Sequence, residues 1–194
     1  CIRDRRVYIP AYSSRLPNVK IYYKDGNQIK QYTYTYDNYG NPITETIKLY
    51  TSSNTQKTSY EYDSYGRLSK VTSPMGLSNT FTYNTMGQVA TVKDYKGGIT
   101  TFTYDAFGRE ISTSYPDNTN KTIQYAWSST ATNGLYSVTT TRTGKPTVIE
   151  IYDALNREVR QGEKRFDGTI KNIDKLYDSY GNLQKVSLPF TGST

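Results

Sequence analysis

The chain has 194 residues and carries a formal charge of +7, from 24 Lys and Arg against 17 Asp and Glu; it has no His and one Cys. The single Cys excludes an internal disulfide and a Cys-based structural zinc site, and the missing His removes the commonest general base and metal ligand. Hydrophobic residues make up 35%, but 21 of them are Tyr; with Tyr set aside and Gly counted the apolar share is roughly 31%, against about 45–50% in ordinary domains, so Tyr rings must supply much of the buried area while their hydroxyls stay wet or hydrogen-bonded.

No run of 18 apolar residues occurs, which excludes a membrane-spanning helix, and no signal peptide is recognisable. The basic residues mostly scatter. Their densest groups are Arg3, Arg5 and Arg6, and a stretch from Arg157 to Lys175 that is interleaved with Glu158, Glu163, Asp167 and Asp174. Mixed charge of that kind reads as a solvated face, and nucleic acid is not expected as a partner.

In chain order, residues 1–20 form a leader without repeat character, and residues 21–194 form a tandem array. Tyr22 to Ile29, YYKDGNQI, reads as a worn first copy. Then a five-residue motif recurs six times: Tyr36-Asp37-Asn38-Tyr39-Gly40, Tyr62-Asp63-Ser64-Tyr65-Gly66, Tyr83-Asn84-Thr85-Met86-Gly87, Tyr104-Asp105-Ala106-Phe107-Gly108, Tyr152-Asp153-Ala154-Leu155-Asn156 and Tyr177-Asp178-Ser179-Tyr180-Gly181. Steps from Tyr to Tyr are 26, 21 and 21, then 21 to a degenerate copy at Tyr125, 27 to Tyr152 and 25 to Tyr177. A base period of 21 with insertions is a repeat signature, giving about seven units.

Before each motif aromatic residues alternate with Thr, as in Tyr32, Tyr34 and Tyr36 against Thr33 and Thr35, or Phe102 and Tyr104 against Thr101 and Thr103. Period two with these residue types is a β-strand pattern. Asp-x-x-Gly then supplies a tight turn: the Asp side chain accepts from backbone N–H groups further on, and Gly accepts a positive φ. A second strand follows, such as Arg67 to Val71, and ends at another breaker: Pro74, Tyr95, Pro116 and Pro189 stand eight residues after Gly66, Gly87, Gly108 and Gly181. Leu68 and Val71 would point to opposite faces of a flat strand, which implies either a bulge or burial on both faces. The fold class expected is all-β: an antiparallel meander of tandem hairpins, about 14 strands for about seven units, curling into a trough or partial shell because open twisted sheets seldom grow so wide.

Tyr60 to Gly76, YEYDSYGRLSKVTSPMG, resembles the RHS or YD repeat almost throughout, and the likeness extends in phase over nearly the whole chain after about residue 20. Copies three, five and six depart from it, with Asn84 for Asp, Ala126 after Tyr125, and Asn156 for Gly. The resemblance implies a spiralling β-sheet that in long members encloses a toxin domain or stands on a cell surface. The Asp-Pro-x-Gly-Leu type segment associated with self-cleavage in long members is not found in the sequence. Cys1 adds a second likeness: mature bacterial lipoproteins begin at the cysteine that carries their lipid, so Cys1 is the expected lipidation site. Its acyl chains would be the protein's one membrane contact, with the early arginines near anionic headgroups.

The carboxylates of Asp37, Asp63, Asp105, Asp153 and Asp178 could serve acid–base or calcium chemistry, but their phase with Gly marks them as turn residues. Glu45, Glu150 and Asp174 lie out of phase, and no spacing pairs them for glycoside hydrolysis. Cys1 as a nucleophile lacks a base. The reading is therefore a non-enzymatic scaffold or binding protein of the bacterial cell surface, with an outer-membrane lipoprotein as the form that Cys1 implies, or of an exported toxin complex. It has no cofactor, metal or catalytic residue, and holds a protein partner, a toxin or envelope component, on a Tyr-rich sheet. The alternative is a carbohydrate-binding adhesin module that stacks sugars on exposed Tyr rings, as the glucan-binding and choline-binding repeats of surface proteins do; those lean on Trp, and here there is only Trp127.

Overall fold

The computed structural model describes residues 16, 18–50 and 54–192. Among them there are sixteen strands and no helix; the first fifteen follow one another in chain order and the last pairs back on the fourteenth, so the antiparallel meander expected from the sequence is what the chain forms. Two compact units divide the chain. The first holds β1 (Val19–Lys24), β2 (Asn27–Tyr36), β3 (Pro42–Leu49), β4 (Thr55–Tyr62), β5 (Leu68–Thr72) and β6 (Ser78–Tyr83). β7 (Val89–Lys93) contributes residues to both units. The second unit holds β8 (Ile99–Tyr104), β9 (Glu110–Ser114), β10 (Asn120–Trp127), β11 (Tyr136–Arg142), β12 (Thr147–Tyr152), β13 (Glu158–Lys164), β14 (Ile170–Tyr177), β15 (Leu183–Val186) and β16 (Phe190–Gly192).

Each motif makes the same turn. Gly66 N–H donates to Asp63 O at 2.9 Å and Asp63 N–H to Arg67 O at 2.8 Å, and the same pair recurs at Asp37, Asp105, Asp153 and Asp178. The fourth position needs a left-handed backbone, supplied by Gly66 at φ 76° and, in the sixth copy, by Asn156 at φ 61°. This is a type I turn closed by a bulge, the usual way to join strands through a loop longer than two residues. One residue past the turn the register slips again: Tyr62 pairs with Leu68 but Glu61 with Lys70, leaving Ser69 extra. The same slip stands at Tyr36, Tyr104, Tyr152 and Tyr177. It settles why Leu68 and Val71 are out of alternation, in favour of a bulge. The worn first copy turns differently, in two residues, with Asp25 at φ 51° and Gly26 at φ 79°, the geometry typical of a tight hairpin.

In the first unit no described residue is fully buried. Its order comes from neighbouring side chains on one sheet: Tyr32 and Tyr34 stack with centroids 6.2 Å apart, Tyr34 and Tyr36 at 6.3 Å, and Tyr22 meets Tyr32 edge-on at 5.6 Å. Such same-face contacts are the unit of sheet stability when there is no second layer.

The second unit has a small core of Ala131, Ile151 and Val159, flanked by Ile149 and Tyr177. Ala131 belongs to the loop 128–135 that replaces the motif in the degenerate fifth copy. The loop is closed by bonds from Ser128 N–H to Leu135 O and from Gly134 N–H to Ala131 O, both 2.9 Å. A Cβ on Gly134 would lie 2.8 Å from Ile151 Cγ2 and 3.1 Å from Ala131 O, so only glycine lets the loop seat this closely. Arg160 fastens it, donating to Thr130 O at 2.8 Å while its Nε and Nη2 grip both oxygens of Asp174 at 2.6 and 2.9 Å.

Candidate functional site

The motif residues converge on the turns, and each turn uses its Asp completely. Asp63 Oδ1 accepts from the N–H groups of Tyr65 and Arg67, both at 2.9 Å, and Oδ2 accepts from Arg67 Nε at 2.8 Å and pairs with Nη2 at 2.7 Å. Asp105 with Arg109 and Asp153 with Arg157 repeat this arrangement. At Asp37 and Asp178 a side-chain amide replaces the guanidinium, from Asn41 at 2.9 Å and Asn182 at 3.1 Å.

The electrostatics follow. Asp37 and Asp178 are held below the usual carboxylate range, first by those amides and then by backbone N–H groups, with a smaller opposing push from desolvation. At Asp63, Asp105 and Asp153 desolvation is the largest single influence and pushes upward, but the Arg hydrogen bonds and backbone N–H groups together outweigh it and the net shift is downward. A carboxylate stabilised as the anion and already accepting three or four bonds is a weak base, with little lone-pair capacity left for a cation.

The motif Tyr ties consecutive copies together. The hydroxyl of Tyr62 donates to Pro42 O at 2.9 Å, that of Tyr83 to Leu68 O at 2.7 Å, that of Tyr104 to Val89 O at 2.8 Å and that of Tyr177 to Glu158 O at 2.9 Å. In each case the acceptor lies two residues past the turn glycine, or its Asn156 equivalent, of the preceding copy. The Arg that grips its own Asp also lies over the Tyr of the next copy: Arg67 over Tyr83 at 4.4 Å, Arg109 over Tyr125 at 4.1 Å and Arg157 over Tyr177 at 4.9 Å. Sequence reading gave Tyr, Asp and Gly as the turn motif and assigned this Arg no role. The signal was present, since Arg follows the turn's fourth residue at Gly66-Arg67, Gly108-Arg109 and Asn156-Arg157.

The remaining motif residues take related places. Tyr36 stacks in the Tyr32–Tyr34 row, and burial pushes its hydroxyl pKa up. Asn84 opens the third copy, which Gly87 closes at φ 81°, and Gly40, Gly108 and Gly181 have φ of 88°, 81° and 88°. In that copy Gln88 stands in the Arg position and reaches forward to donate to Gly108 O at 2.6 Å. Tyr152 stacks on Tyr136 at 5.2 Å, and its hydroxyl is pushed to about 12, first by burial and then by Glu150. Asn156 accepts from the Tyr136 hydroxyl. Cys1 lies outside the described residues. Among the described residues no group of three acidic, His or Cys side chains is placed to hold a metal ion.

The fourth of the five motif residues is different in kind, because it is large and solvent-facing in all six copies. Tyr39 is 92% exposed, Tyr65 82% and Tyr180 90%; Met86, Phe107 and Leu155 hold the same position. In the first unit, Tyr39 and Tyr65 flank a groove of about 970 Å³ whose lining includes Ile43, Tyr62 and Glu61.

Comparison with known proteins adds the following. The family model described as teneurin YD-shell matches residues 11–193. No curated protein matches the chain. Among solved structures, TcdB2-TccC3 superposes with a TM-score of 0.59 at 13% identity, covering 90% of this chain and 11% of that one. The Tc holotoxin pore of Photorhabdus luminescens gives a TM-score of 0.45 at 14% identity, covering 94% of this chain and 13% of that one. The chain thus spans about a tenth of the length of the solved chains it matches, and at these identities the likeness is one of fold.

Proposed function

Because the chain belongs to the teneurin YD-shell family, we propose that it is a non-enzymatic wall element of an exported or cell-surface protein assembly, holding a partner protein, a toxin or an envelope component, against its Tyr-rich sheet. One observation carries this reading: the polar groups that the repeat supplies are spent on the repeat itself. The Asp carboxylates are filled by their own turns, and Tyr hydroxyls cross to the preceding copy's backbone. Such chemistry builds a surface and leaves its copies no reactive centre.

The test is to recover the protein from its source organism by fraction and measure its native mass. Recovery outside the cytoplasm in an assembly heavier than its own polypeptide supports the wall reading. A free cytoplasmic monomer overturns it. The same preparation checks attachment through Cys1, since a lipid adduct raises the intact mass of the N-terminal peptide.

A second reading, sugar binding, is favoured by the groove between Tyr39 and Tyr65. It pairs two exposed rings with one carboxylate that keeps acceptor capacity, since Glu61 binds Lys70 through one oxygen only. Rings for stacking and acceptors for hydroxyl groups are what a sugar requires. Glycan-array binding that disappears in Tyr39→Ala and Tyr65→Ala supports it, and an array without signal removes it.

A further inference from the structure

The fifth copy keeps its strand and loses its turn, so Ala126 and Trp127 stand where the motif would place Asp and its successor. Instead of turning, β10 runs on to Trp127, which pairs across the sheet with Tyr136. Trp127 is 82% exposed, and Phe107, from the turn of the preceding copy, is 84% exposed. With Arg109, Tyr125, Leu135 and Tyr136 they line an open groove of about 730 Å³, within the size range of ligand-binding clefts.

The polar groups of this groove are unlike those between Tyr39 and Tyr65. No carboxylate or amide side chain lines it. Arg109 spends Nε and Nη2 on Asp105, leaving Nη1 without a partner among the described residues. The Trp127 indole N–H is likewise unpaired among them, and the Tyr136 hydroxyl already donates to Asn156. The groove therefore offers aromatic faces and hydrogen-bond donors, with few acceptors. A sugar would bring several hydroxyl donors that find no partner, each costing about 1–3 kcal/mol once desolvated. A proline-rich strand matches the other way round: its pyrrolidine rings lie on aromatic faces, its carbonyls take the donors, and its prolines bring no N–H to satisfy.

We propose that this groove binds a proline-rich segment of a partner protein in the polyproline II conformation, anchored by Phe107 and Trp127 with the Trp127 indole and Arg109 donating to its carbonyls. The site is built on the fifth copy and the turn before it, and the proposal stands or falls independently of the wall reading. Trp127 is the only Trp, so its emission reports the groove directly in the intact chain. Titration with an oligoproline peptide should give a saturable emission change, with affinity about tenfold weaker in Phe107→Ala and unchanged in Tyr39→Ala. Because Phe107 is a solvent-facing turn tip, its truncation leaves the fold intact, which unaltered far-UV circular dichroism verifies. The proposal is overturned by no saturation up to millimolar peptide, by an equal response to a Gly-Ser peptide of the same length, by an unaltered affinity in Phe107→Ala, or by a response to maltohexaose in place of the peptide.

Discussion

The regular copies of the first unit and the broken fifth copy in the second reach order by opposite routes. Around Tyr62 and Tyr83 none of the described residues is fully buried, and consecutive copies are joined by a hydroxyl-to-carbonyl bond and by Arg67 lying over the next ring. Around Ala131 the motif is gone, and the loop that replaces it lies on Ile151 and Val159 to make the one buried apolar cluster among the described residues. A repeat built from many small ties tolerates the loss of any one of them. A single insertion that builds a core concentrates its stability in a few side chains, and the repeat array becomes locally two-layered there.

The sharpest way to break that contrast is Ile151→Ala. Ile151 is 3% exposed and contacts the loop, so truncation is expected to cost about 2–4 kcal/mol. Hydrogen exchange should accelerate across the loop 128–135 and strands β12 to β14, while β2 to β5 keep their protection. Acceleration spread evenly over both sets of strands would mean that the cluster is not a local core. Next in size is Arg160→Ala, which removes the grip on Asp174 and the bond to Thr130 O. With side-chain exposures of 15% for Arg160 and 28% for Asp174, the loss should be about 1–3 kcal/mol. Exchange at the loop amides should rise more than in β12.

The loop and the residues that seat it also mark where sequence reading stopped. The hairpins, the turn chemistry and the Tyr rows were legible because each is written several times in phase, and the periodicity separates the rule from its accidents. Arg160 and Gly134 are written once. Their roles depend on contacts between strands and a loop far apart in sequence, and a copy without its motif looks merely worn. The strand after each turn was a middle case: Leu68 and Val71 broke the alternation, and the extra Ser69 explains it, but the bulge could not be told from two-sided burial until the register was known. The role of Arg67, Arg109 and Arg157 was missed for another reason. Three occurrences stood beside Asn41, Gln88 and Asn182 at the same place, and only geometry shows that an amide can substitute for a guanidinium on the same carboxylate.

In the first unit the expected effects are smaller. Tyr83→Phe keeps the ring under Arg67 and deletes only the hydroxyl bond to Leu68 O, with an expected loss of about 0.5–1.5 kcal/mol in denaturant melts. Tyr62→Phe should match it. If each is small and the double variant is close to their sum, the ties act independently along the array, as nearest-neighbour repeats should. A double variant far more damaging than that sum would give the first unit a concentrated core after all.

The smallest expected effect tests what the two units share. Tyr34 in the first and Tyr152 in the second are both pushed to about 12, from the ordinary 10, in each case first by burial and then by a nearby carboxylate, Glu45 or Glu150. A phenol that holds its proton more tightly when folded contributes stability that is complete below pH 10 and is lost as pH rises from 10 toward 12. Alkaline titration followed by phenolate absorbance should therefore show a late-ionising class that merges with the rest on unfolding. In Glu45→Gln the Tyr34 pKa should fall yet stay above 10, because burial, the larger influence, is untouched. A fall all the way to the ordinary value would mean that Glu45 alone holds the phenol neutral, and that the ring is as open to water as the absence of a core in this unit would allow.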